Sequence, residues 1–297
     1  MARFAAVAIA LAVIGVGAGR GEAPPPNSDA AQITAAMQGQ TGLVVASADD
    51  IARRIPRRLT LYRAAHNPRV LILDFPDAAL QARTLNRIAV FAEMKGAPHD
   101  RVPDEAETRR LIAEAGRPFD HFYLGHDYDA ATLARFFSLA GADGLSPEEA
   151  RLRNILLHYH VLRTAADGFV ATTPVQALIS IADLGGTPGD AVALRRQVLR
   201  HELAHGEFFT RLFYRAACDR FWRQGLNGYE RNLFLRFLDR EGYDIRETEL
   251  VINEVQAYLG FTAGPGLFDA RQLGIDDIAF DELRQRFHRA MNATPAF

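Results

Sequence analysis

Asp190-Ala191-Val192-Ala193-Leu194-Arg195-Arg196-Gln197-Val198-Leu199-Arg200-His201-Glu202-Leu203-Ala204-His205 is the stretch on which the reading of this chain turns. Asp190 follows Gly185-Gly186-Thr187-Pro188-Gly189, a helix-breaking run, and its carboxylate can accept from the free N–H groups of a first turn. It therefore predicts the N-cap of a long helix. Leu194, Val198, His201, His205, Phe208 and Leu212 recur at spacings of three and four, which places them on one stripe. Both histidines lie inside that apolar stripe. An i, i+4 pair projects two imidazoles in parallel, one turn apart, as two ligands of a single tetrahedral zinc require. Glu202 is offset by about 100° around the helix, close enough to act on a water beside such a metal without displacing it.

Two histidines leave a zinc hydrolase site one protein ligand short. The metzincin extension would put glycine at Phe208 and histidine at Arg211, and neither position complies. Carboxylates downstream remain. Asp244-Ile245-Arg246-Glu247 has the form of a capping box and predicts a helix running to about Gly260. On that helix Glu247, Leu250, Val251, Glu254, Ala257 and Tyr258 share a face, so Glu254 is a carboxylate in an apolar stripe. Burying it ionised and unpartnered costs several kcal/mol, so it needs a cation, a metal or a proton. Glu249 points away and reads as solvated surface. Glu247 sits in the first turn, where the helix dipole accounts for it.

The pairing of His201-Glu202-Leu203-Ala204-His205 with Asn253-Glu254-Val255-Gln256-Ala257 on a later helix resembles the gluzincin group of zinc metallopeptidases. The resemblance spans about residues 190–262. The interval from His205 to Glu254 leaves room for one intervening helix near Tyr229 to Arg240, and is more similar to the long-interval, lethal-factor-like members than to thermolysin. It implies a Zn2+ held by His201, His205 and Glu254, with Glu202 moving a proton from water to the leaving amine of a peptide or protein substrate. It also implies a zincin-like fold. One departure is Tyr258, where many gluzincins carry an aspartate, so the group that orients the histidines is unassigned. An oxyanion stabiliser is needed, and Tyr243 and His288 are the catalytic candidates.

Other polar clusters are weaker. His121 and His126-Asp127 fall in an aromatic-rich loop, Phe119 to Tyr128, able to line a cleft but read first as structural. His158 and His160 are two apart on a helix and cannot face one metal. Phe169 to Ile181 is the segment expected to include the edge strand on which zincins lay an extended peptide. Pro174 suits an edge or a plain loop.

The 297 residues are 48% hydrophobic and 24% charged, with a net charge of −2. That composition is globular, and the lack of a basic cluster argues against nucleic acid as a partner. Arg3 followed by the apolar run Phe4 to Val16 and the small residues Gly17-Ala18-Gly19 reads as a signal peptide over 1–18. The run is shorter than the about 20 residues of a membrane span. An exported chain, periplasmic or secreted, without stable membrane insertion is the expectation. Cys218 is the sole cysteine, so no internal disulfide forms, and it reads as a buried hydrophobe.

Residues 19–45 read as a linker around Ala23-Pro24-Pro25-Pro26-Asn27. An α/β region over 46–145 of unassigned role follows, and then a zincin-like helical catalytic region over 146–297, divided near Gly141 to Ser146. A strand is predicted at Val70 to Phe75. Helices are predicted from Asp77 to about Lys95, from about Asp104 to Ala115, and from the capping box Ser146-Pro147-Glu148-Glu149 to about Ala166. Residues 30–140 read equally as lid, pro-segment or docking surface. The fold class is mainly α (α+β), with a small sheet that rests partly on the resemblance. The function expected is a zinc metallopeptidase. A zincin-like envelope scaffold without catalysis and a non-peptidase zinc hydrolase stay open.

Overall fold

The computed structural model describes residues 42–185, 187–262 and 267–293. The signal peptide expected at 1–18 and residues 19–41 of the expected linker lie outside them. The chain is mainly α with a small mixed sheet. In chain order the elements are β1 (Val44–Ala46), α1 (Ala48–Arg53), β2 (Thr60–Ala64), β3 (Asn67–Phe75), α2 (Ala78–Glu93) and α3 (Glu105–Glu114). Then come β4 (Gly125–Asp129), α4 (Ala130–Ala140), α5 (Pro147–His158), β5 (Leu162–Ala165), β6 (Gly168–Ala171) and β7 (Ala177–Ala182). The C-terminal part holds α6 (Pro188–Thr210), α7 (Leu212–Arg220), α8 (Gly228–Glu241), α9 (Thr248–Ala257), α10 (Ala270–Leu273) and α11 (Asp277–Met291).

The five-stranded sheet has the order β1-β2-β3-β7-β4. β1 and β2 run parallel, as do β3 and β7, while β2–β3 and β7–β4 are antiparallel. β3 and β7 are central, and both their faces are covered, which is why Val70-Leu71-Ile72-Leu73 and Ala177-Leu178-Ile179 read as continuous apolar runs without alternation. Val70, Ile72, Ile179 and Ile181 enter the core under α6 with Val198, Leu199 and Leu203. Leu71, Leu73, Phe75 and Leu178 enter a second core on the other face with residues of α2, α4 and α5.

The start signals of the predicted helices work as read. Asp77 accepts from the Leu80 N–H, Asp104 from the Glu107 N–H, and Ser146 and Glu149 form a reciprocal capping box. The third helix stops at His158 and not near Ala166, because His160 adopts a φ of 55° and turns the chain into the β5–β6 hairpin.

Three further expectations are corrected. α6 begins at Pro188 with Thr187 at its N-cap, so Asp190 lies inside the first turn; proline at the first helical position sets the start. α6 breaks at Arg211, whose backbone is extended, and Leu212 opens α7 with 78% of its surface exposed. Leu212 is thus not part of the stripe. Asp244 spends its side chain on the Arg246 N–H and guanidinium, so no capping box forms and Glu247 takes the N-cap of α9.

The two regions divided near Gly141 to Ser146 share one sheet, since β7 lies between β3 and β4. Residues 42–140 supply four of its five strands, so they are not a removable pro-segment. α6 packs across β7, β4 and β3 and against α1. Its Arg195 is buried, donates to Asp74 of β3 at 2.9 Å, and also meets the carbonyls of Ala182 and Arg54. That ion pair fixes the rotation of α6 on the sheet. Among the described residues no helix is long and apolar enough to cross a membrane.

Candidate metal centre

α6 brings His201 and His205 into the core, 3% and 0% exposed. Their Nε2 atoms converge to 2.9 Å. α9 adds Glu254 from the opposite side, with Oε1 3.8 Å from His205 Nε2 and Oε2 3.9 Å from His201 Nε2. Ligand bonds of about 2.1 Å around a tetrahedral ion put neighbouring donors about 3.4 Å apart, so shifts of about half an ångström join all three to one metal. These three groups can hold a metal ion, and the set Asp127, Glu202 and His205 meets the same requirement.

The histidine tautomer follows from the hydrogen bonds. Thr262 Oγ1 donates to the Ala257 carbonyl at 2.9 Å, and lies 2.5 Å from His201 Nδ1. Its proton being committed, the hydroxyl accepts from Nδ1–H, which leaves the lone pair of His201 on Nε2 facing Glu254. Thr262 stands at the end of a wide helical turn, Tyr258–Thr262, that continues α9. It is the orienting group that sequence reading left unassigned. Tyr258 packs edge-on against the His201 ring, with centroids 4.8 Å apart.

Electrostatics point the same way. Burial pushes the carboxyl groups of Glu93, Glu202 and Glu254 well above their ordinary range, and mutual repulsion adds to it; Asp127 is raised as well. Burial, with His205 alongside, holds His201 well below its ordinary value, so its imidazole is neutral and able to ligate. Glu202 Oε2 and Glu254 Oε2 are buried without a hydrogen-bond partner, as is His205 Nδ1. Four carboxyls crowded around two imidazoles must hold protons or gather around a cation. A divalent metal answers both the orphaned oxygens and the repulsion, so the residues fit the ion.

The cavity beside Glu202 is about 20 Å³, room for about one water. Gly125 of β4 is what allows Glu202 into it: a Cβ at that position would collide with the Glu202 carboxylate. Along β4 the residues alternate. His126 faces Ser180 and Asn86 on the α2 side, while Asp127 faces α6 with its Oδ2 3.6 Å from His205 Nε2. A chain of bonds from Tyr214 through Gln256 and Asn253 reaches the other oxygen of Asp127.

His201, Glu202, His205 and Glu254 are therefore brought together. Tyr243 joins them, lining the cavity and directing its hydroxyl at Glu254. His288 does not: it lies exposed in the last turn of α11 beside Arg284. Glu249 is on the surface, paired with Arg215. The stripe predicted for α9 is instead burial on every side from Val251 to Ala257, because α6, α7 and α8 enclose it. The edge strand next to the cluster is β4, and the predicted segment Phe169 to Ile181 supplies β6 and the internal strand β7. Asp127, Glu93, Thr262 and Gly125 were not picked out by sequence reading as site residues. Only Asp127 offered a signal, as a charged residue within an aromatic run. Comparison with family models, with curated proteins and with solved structures finds no match to this chain.

Proposed function

We propose that this chain is a zinc-dependent metallohydrolase that cleaves peptide bonds. One observation carries the reading: two buried imidazole Nε2 atoms 2.9 Å apart face a buried Glu254 whose Oε2 has no hydrogen-bond partner. The motif chemistry, two histidines one turn apart with Glu202 between them, supports zinc over a harder ion. Zinc in such a site supplies acidification of water and polarisation of a carbonyl. His201 and His205 on α6, with Glu254 on α9, would hold it. Thr262 fixes His201, and Tyr243 steadies Glu254.

Glu202 is the base in this proposal. Its unpartnered oxygen borders a cavity of one-water size, where it can take a proton from the attacking water and return it to the leaving amine. Its raised affinity for a proton suits both transfers. β4 is the terminal strand beside the cluster and offers an edge on which an extended peptide can align by main-chain bonds. The charged apolar-run pattern at residues 1–18 supports export to the periplasm or beyond. An unpartnered, buried Glu202 favours catalysis over a scaffold role.

The test is digestion of a peptide library by zinc-loaded wild type and by Glu202→Gln. The expected result is cleavage by the wild type only, with equal zinc content in both. Undiminished cleavage by Glu202→Gln removes the proposed base, and zinc retained without any cleavage removes the peptidase.

A further inference from the structure

Beside the Glu202 cavity lies a larger groove of about 470 Å³. Glu93 and Asp127 line both, and so form the wall they share. Asp129, Glu247 and Glu249 add three more carboxylates to the groove, of which Glu249 is already paired with Arg215, and the one guanidinium lining it is that of Arg135. Arg135 is already engaged: it donates to the His99 carbonyl and lies over the Phe91 ring, 5.1 Å from its centroid. Glu93 is 9% exposed, and no hydrogen bond or ion pair joins its carboxylate to another described residue. A buried acid without a partner, at the inner end of an acidic groove, calls for a cation from outside the chain. Ala92, Phe209 and Leu250 give the same groove an apolar wall. That combination suits an aliphatic stem ending in a positive charge.

We propose that this groove is the substrate subsite for an organic cation, the ammonium or guanidinium of a lysine or arginine side chain next to the bond to be cleaved. The inference rests on the peptidase reading and deepens it by naming a substrate class. A free N-terminal ammonium offers the same charge, and the experiment separates the two sources.

The probe is an acetylated, amidated alanine pentapeptide with lysine at its centre. Its norleucine counterpart, and that counterpart with a free N-terminus, complete the set. Binding to the full-length protein is measured by calorimetry at low and high salt, with zinc content and cleavage followed on the same samples. The lysine peptide is expected to bind about tenfold more tightly than the norleucine peptide, about 1.4 kcal/mol. The gap should shrink with salt. It should close in Glu93→Gln and in the double variant Glu247→Gln/Glu249→Gln, whose two positions are exposed and tolerant, and persist in Asp281→Asn on the far surface of α11. A gain from the free N-terminus with none from lysine keeps the cation subsite and assigns it to the terminal ammonium.

Equal or undetectable binding of the charged and neutral peptides overturns the proposal. Cleavage without charge preference removes the subsite and leaves the peptidase. A lysine preference in protein that holds no zinc and cleaves nothing keeps the subsite and removes the peptidase.

Discussion

Replacing Glu254 with glutamine separates a metal ligand from an ordinary core residue, because the two roles predict opposite results. The change keeps the shape of a side chain that is 2% exposed but removes its charge. Structural zinc binding of about 10–16 kcal/mol over four ligands is about 3–4 kcal/mol each, so losing one weakens zinc about 100- to 1,000-fold. The metal-free protein should behave differently. Glu254 Oε2 has no hydrogen-bond partner and its carboxyl is repelled by Asp127, so glutamine leaves the apo fold as stable as before or more so. Urea unfolding with zinc at about 1,000 times the wild-type Kd should stabilise the wild type by about 4 kcal/mol, but the variant by about 1.4 kcal/mol or less. Chelator competition gives the affinities directly. Glu249→Ala, five residues away on the same helix but exposed and paired with Arg215, should leave zinc affinity unchanged. A Glu254→Gln protein with wild-type zinc affinity, or one that binds zinc normally yet is less stable without it, refutes the assignment.

Three more outcomes are expected. Gly125→Ala should displace the Glu202 carboxylate and cut turnover at least tenfold while zinc content is kept, whereas unchanged turnover would show that the close approach is dispensable. Arg195→Met strands the buried Asp74 carboxylate and should cost about 3–5 kcal/mol in urea unfolding, most of it recovered in Arg195→Met/Asp74→Leu; no recovery would mean that the other bonds of Arg195 dominate. His126, buried, is pushed down to about 3 from an ordinary 6.5, so the unfolded chain binds its proton first as pH falls. Its contribution is complete above pH 6.5 and is lost on the way down to about 3, at up to about 1.4 kcal/mol per pH unit. Unfolding measured across that range should be flatter for His126→Gln, and identical slopes would reject the shift.

What the sequence determined by itself is local. The caps at Asp77, Asp104 and Ser146 are satisfied within four residues of chain, so they are legible without a fold. The i, i+4 geometry of His201 and His205 is a property of any helix, and burial of Glu254 follows from its apolar neighbours. The β3 run is equally plain, since a strand covered on both faces needs no partner to be recognised. Local signals also competed with one another: Pro188 set the start of α6 ahead of Asp190, and Asp244 lost its capping role to a nearer partner, Arg246, two residues on. Tertiary structure decided the rest. β4 reached the site only because β7 inserts between it and β3, a pairing across some 50 residues that no local pattern encodes. That pairing delivers Asp127 and Gly125 to the face of α6. Thr262 arrives because α9 ends in a wide turn that sets its hydroxyl beneath His201. Such contacts exist only when separate segments pack, so the two histidines could be found in the sequence, while the groups that orient them and crowd them with charge could not.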